Sequence, residues 1–190
     1  YGREFQSPYF VDKSLLLEQL MMRVETSTNY VCITRPRRFG KSVMANMIAS
    51  FFSRACNMKD VFDKLKIGAS RQYRAYMGKY DVVFISFNEL PRKCRSYEQY
   101  IERIENRLLA DLKEAYPKAD IGQEDAVWDA FAEVYSVYGS KRFIFVLDEW
   151  DYIFHRDFVT REDRKEYIDF LSNLLKGKAY VSLAYMTGIL

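Results

Sequence analysis

A lysine and a serine placed directly after a glycine, and an acidic pair at the end of an apolar run, are the residues here whose types and spacing could do chemistry. Gly40, Lys41 and Ser42 close the segment "TRPRRFGKS", Thr34 to Ser42. They match the end of the pattern G-x-x-x-x-G-K-[ST], in which backbone N–H groups at a helix N-terminus cradle a phosphate chain. In that chemistry Lys41 reaches the β- and γ-phosphates and Ser42 offers its hydroxyl to Mg²⁺. The acidic pair, Asp148 and Glu149, closes "FIFVLDE". Asp148 is expected to complete the metal shell, and Glu149 to orient and polarise an attacking water.

The loop departs from the pattern at its first position, where Arg35 stands in place of glycine and Pro36 follows. Glycine there permits a positive-φ entry. Its loss, with the restriction that a proline puts on the residue before it, predicts a more extended exit from the preceding strand. Arg37 and Arg38 add positive charge beside the loop. The expected nucleotide contacts are therefore Arg37, Arg38, Phe39, Gly40, Lys41, Ser42 and Val43, and the expected metal ligands are Ser42 and Asp148. A bare G-K-S is common by chance, and a buried strand can simply run into an acidic turn; it is the two together, in this order, that predict a nucleotide site. Thr187, closing the last apolar run before Gly188, is placed to sense the γ-phosphate, and equally to end a strand before a turn. Lys41, Glu149 and Thr187 form the expected catalytic set.

Four runs rich in β-branched and aromatic residues must position these groups: Tyr30 to Thr34, Asp81 to Phe87, Arg142 to Glu149 and Ala179 to Thr187. The third reads as buried on both faces. Helical spacing lies between them. Met44, Met47, Ile48, Phe51 and Phe52 form one stripe and Ile101, Ile104, Leu108 and Leu112 a second. Val127, Phe131, Val134 and Tyr138 form a third, and Tyr167, Ile168, Leu171, Leu174 and Leu175 a fourth that Gly177 ends. Asp12 is placed to cap a leading helix, and Asn57 to Tyr80 reads as a polar connection. Strand alternating with helix predicts an α/β fold, a three-layer P-loop NTPase core with a parallel sheet. The strand intervening between the phosphate loop and the acidic pair points to the additional-strand type that uses a catalytic glutamate.

The 190 residues suffice for one core, with 49% apolar and 29% charged residues and a net charge of +3. That charge is too small to argue by itself for a nucleic-acid partner. Three widely spaced cysteines fit neither a disulfide framework nor a zinc site, and suggest a cytoplasmic setting. No run approaches the ~20 apolar residues of a membrane span. The lone His155 and the basic stretch "PRKCR", Pro91 to Arg95, read as ordinary surface residues.

With "FVDKS", "RPRRFGKS", "GKYDVVFISF", "VLDEWD" and "MTGIL" in this order, the chain resembles the bacterial AAA-ATPase-like family. Members of that family open with V-D-K-[ST] and carry the R-P-R-R-F-G-K-S form of the loop. The resemblance implies that Arg35 is a family trait, that the nucleotide is ATP, with Mg²⁺, and that residues 1–190 form an N-terminal domain truncated after its fourth core strand. It further implies a C-terminal domain similar to PD-(D/E)XK nucleases in longer members. The leading expectation is an ATP-hydrolysing domain. A nucleotide-gated switch with little turnover and a module contacting DNA through the arginine loop stand as alternatives, and an oligomer is left open.

Overall fold

The computed structural model describes residues 11–89 and 94–189. Phe10 of the opening motif, Pro91 to Lys93 of the basic stretch and Leu190 lie outside them. The chain divides into two compact units, one of residues 1–87, 143–151 and 182–190, the other of residues 88–142 and 152–181.

The first unit carries the sheet. Its strands are β1 (Tyr30–Thr34), β2 (Asp81–Ser86), β3 (Phe143–Asp148) and β4 (Val181–Gly188). All four are parallel, in the order β1-β4-β3-β2. This is an α/β fold of the P-loop NTPase-like kind. The strand that intervenes in sequence, β2, lies outermost beside β3, whereas the strand inserted in space between β1 and β3 is β4. β3 is buried along its whole length, as its unbroken apolar run requires, and β4 nearly so.

Helix α1 (Leu16–Met21) leads into β1, and α2 (Lys41–Phe52) follows it. The α2 stripe expected from spacing is the one buried: Met47, Ile48, Phe51 and Phe52 are at most 1% exposed. They form one core with Ile144 and Val146 of β3 and with Leu183 and Tyr185 of β4. Phe51 meets the rings of Phe52 and Phe62 edge-on at 5.0 and 5.3 Å.

Residues 57–80 are more than a polar connection. They form α3 (Lys59–Phe62), a 3₁₀ turn (Lys66–Ala69) and α4 (Tyr73–Tyr76), and put Phe62, Leu65, Ile67 and Tyr73 into the same core. Elements this short bury one residue per turn, so no helical period shows in the sequence. Asp12 does not cap α1, whose N-cap is Leu15. Its carboxylate accepts from the Ser14 N–H at 2.8 Å and from the Lys66 N–H at 2.8 Å, and the buried Ser14 hydroxyl accepts from Ile67 N–H at 3.1 Å. The D-K-S stretch is a clip that ties the start of the chain to the 3₁₀ turn.

The second unit is helical, with α5 (Tyr97–Ala115), α6 (Val127–Val137) and α7 (Arg161–Leu175), and a 3₁₀ turn at Tyr152–His155. Ser96 caps α5 by accepting from Gln99 N–H, and Thr160 with Asp163 forms a full capping box on α7. On α7, Tyr167, Leu171, Leu174 and Leu175 are buried as spacing predicts, but Ile168 is 45% exposed. It adjoins Tyr167 in sequence and so sits about 100° around the helix from it.

Candidate functional site

Strand parity decides which face the site occupies. Ile144 and Val146 point toward α2, so two residues further along β3 Asp148 stands on that same face. Leu183 and Tyr185 do the same for Thr187 on β4. Parallel strands end together, so the loop after β1, the acidic end of β3 and the end of β4 share one edge of the sheet, where ligands bind in open α/β folds. The register puts Thr187 beside Ile33 and Gly188 beside Thr34.

Asp148 is 3% exposed and Thr187 fully buried. The Thr187 hydroxyl donates to an oxygen of Asp148 and accepts from the Glu149 N–H at 3.2 Å. One threonine therefore holds both members of the acidic pair. Its hydroxyl hydrogen is committed to Asp148, and its place is that of a support for the carboxylates. Glu149 has φ 54°, a left-handed conformation that costs a non-glycine residue roughly 1–2 kcal/mol. That turn brings the Glu149 N–H to Thr187 and leaves the half-buried carboxylate without a bond among the described residues.

The residues beyond the pair extend this clasp. Trp150 N–H donates to Thr187 O at 3.0 Å, and Ile189 N–H donates to Asp151 Oδ2 at 2.6 Å. Asp151 is 2% exposed, and its other oxygen, Oδ1, is buried without a hydrogen bond among the described residues. A β-carbon on Gly188 would lie 2.8 Å from Trp150 Nε1 and 3.0 Å from Asp151 Oδ1, which leaves room only for glycine. In sequence, Gly188 stands only as the residue after a strand-ending threonine. A glycine meeting the W-D dipeptide 38 residues earlier has no local signal. Burial pushes the Cys32 thiol upward, with Asp151 adding to the effect, and Tyr185 is pushed up to about 12 by burial first and then by Asp148.

The altered loop takes the extended path that Arg35 and Pro36 predict. Arg35 is not among the left-handed residues, and its N–H continues the pairing with β4 by donating to Gly188 O at 3.2 Å. The positive φ values fall later, at Arg38 (69°) and Gly40 (74°), and turn the chain into α2. Lys41, 8% exposed, donates from Nζ to Arg35 O at 2.9 Å and Pro36 O at 3.0 Å. The extended entry thus supplies the carbonyls that hold the lysine. No side chain caps α2 and no acidic residue lies in its first turn, so the amides there stay open to an anion.

Arg37, Arg38 and Phe39 are exposed, Phe39 at 62%, and the two arginines make no ion pair among the described residues. Ser42 and Val43 are half-buried at the start of α2. Ser42 and Asp148 stand at the same sheet edge with no hydrogen bond between them.

An all-parallel sheet of this order, with a glycine-lysine-serine loop after β1 and a buried acidic residue ending β3, defines a P-loop NTPase-like protein. The AAA-ATPase-like family model, described as predicted AAA-ATPase, matches residues 4–190, and the chain belongs to that family. No curated protein matches the chain.

Proposed function

We propose that this chain binds ATP with Mg²⁺ and hydrolyses it at the edge formed by β1, β3 and β4. The observation that carries this reading is the Thr187 hydroxyl, which joins Asp148 and Glu149 one strand away from the phosphate loop. The donor set fits the group: open amides at the start of α2, a cationic Nζ with one of its three hydrogens beyond the two held by loop carbonyls, and one hydroxyl with one buried carboxylate for a divalent cation. Bound there, the cation would neutralise charge developing on the phosphates.

The chain's own residues then divide the work. Backbone N–H groups of residues 41–43 hold phosphate oxygens, and Lys41 adds a charge-assisted bond. Ser42 and Asp148 hold the cation. Glu149, fixed through its backbone to Thr187, presents a carboxylate free to take a proton from water. Arg37 and Arg38 lie close enough along the chain to contribute charge without being needed for the geometry.

Equilibrium binding of ATP and GTP, with and without Mg²⁺, tests the reading on the intact chain and on Lys41→Ala. Micromolar binding strengthened by Mg²⁺ and weakened roughly tenfold or more in the variant is expected. Glu149→Gln should keep that binding and lose turnover. Binding with no turnover in the unmodified chain would instead make it a nucleotide-gated switch.

A further inference from the structure

The second unit contains a groove of about 540 Å³ between α5, α6 and α7, a size typical of binding clefts. Its floor is apolar and aromatic: Tyr97 and Ile101 from α5, Trp128 from the start of α6, and Phe170 from α7. Trp128 and Phe170 meet edge-on at 6.5 Å, and Trp128 is only half-buried. The rim is acidic. Glu98, Glu102 and Glu105 come from α5, Glu166 and Asp169 from α7, and no lysine or arginine lines the groove.

These carboxylates are spaced so that they repel one another. Glu98 and Glu102 are four residues apart on one helix, Glu102 and Glu105 three apart, and Glu166 and Asp169 three apart, all positions at which like charges destabilise a helix. None of the five is in an ion pair among the described residues. The Glu105 carboxyl is pushed up by burial and then by Glu102, so the crowding is felt at the groove. A chain with a net charge of +3 has cations to spare, yet places none here.

We propose that this groove is a docking site for a basic amphipathic helix of a partner protein, its apolar face laid on Trp128 and Phe170 and its lysines or arginines set against the α5 and α7 carboxylates. The two halves of the groove select this occupant together. A nucleic acid or an anionic lipid surface would meet five carboxylates, and a metal ion would leave the half-buried Trp128 ring uncovered. The stripe from Tyr97 to Glu105 is about two turns long, which matches a helix presenting apolar anchors at i, i+3 and i+4 with flanking cations.

The proposal involves only the second unit and is independent of nucleotide binding. Its test uses the 190-residue chain and a synthetic amphipathic leucine-lysine peptide, followed by fluorescence anisotropy and by tryptophan emission. Micromolar binding that weakens with added salt is expected, with a change in emission that disappears in Trp128→Phe. The exposed pair Glu102→Gln and Asp169→Asn, which leaves the floor intact and the fold unchanged by circular dichroism, should weaken binding roughly three- to tenfold. A scrambled peptide of the same composition should bind more weakly. Equal affinity for the scrambled peptide, equal affinity of the double variant, or no binding by the folded chain would each overturn the proposal. So would spermine matching the peptide's affinity with no effect on Trp128 emission, because charge alone would then account for binding.

Discussion

Thr187 is the residue on which the acidic edge turns. It is the donor to a buried carboxylate and the acceptor for the amide of a strained neighbour, so its hydroxyl is worth more than a strand-ending threonine would be. Thr187→Val keeps the shape and removes both bonds; it should cost about 1–3 kcal/mol in urea unfolding, since Asp148 would stay buried without its donor. Thr187→Ser should recover most of that. If valine and serine behave alike, the hydroxyl is not what holds the pair. Gly188 is constrained for a different reason. A β-carbon 2.8 Å from Trp150 Nε1 forces the indole or β4 to move, so Gly188→Ala should destabilise by about 1–3 kcal/mol although the change adds one methyl group. At this scale the candidate residues were legible and their supports were not. Lys41, Ser42, Asp148 and Glu149 announce themselves by type and spacing. The bonds that Thr187 and Asp151 make, and the close contacts that restrict Gly188, are between positions nearly 40 residues apart in sequence, and neighbouring residues carry no trace of them.

Among the elements, the four strands were readable to within two residues because each is a short run rich in β-branched and aromatic residues. What could not be read was their order. Insertion of β4 between β1 and β3 depends on how crossovers pack, and strand spacing leaves that open. The same limit explains Asp12, which looks like a helix cap when only its local neighbours are considered. Its second acceptor bond goes to residue 66, and the more deeply buried half of the clip is Ser14, fully buried and bonded to Ile67 N–H. Ser14→Ala should therefore cost more than Asp12→Ala: roughly 1–3 kcal/mol for stranding a buried amide, against about 1 kcal/mol for losing one part-buried and one exposed bond. Chemical denaturation of the two variants orders them, and an equal or reversed order would show that the carboxylate is the main tie. The acidic groove belongs to this scale too. On α5 and α7 taken singly, its glutamates look like ordinary solvated faces, and only the packing of three helices makes them one rim.

Across the whole molecule, aromatic burial gives the stability a defined alkaline limit. The chain has 15 tyrosines, and burial raises Tyr73, Tyr97, Tyr100 and Tyr185 above the ordinary value of 10.0, Tyr185 to about 12. In the folded state these phenols keep their protons at a pH where the unfolded chain has lost them. The unfolded state then binds fewer protons, so the unfolding free energy falls as pH rises. The contribution is complete below pH 10 and is lost progressively as pH passes from there through the folded values. Urea midpoints measured from pH 8 upward should hold steady with respect to these groups until about 10 and then drop, Tyr185 alone accounting for something of order 1–3 kcal/mol by pH 12. Tyr185→Phe separates this from general charge repulsion, because phenylalanine fills the same space and cannot ionise. The variant should lose less stability than the unmodified chain over that interval, and parallel curves would assign the loss to other groups. Tyr185 packs in the core under α2 and its pKa is raised in part by Asp148, so the same titration reports on the carboxylate at the end of β3. Replacing Asp148 by asparagine should lower the pH needed to ionise Tyr185, read directly from tyrosinate absorbance, because the charge that opposes a second negative charge would be gone.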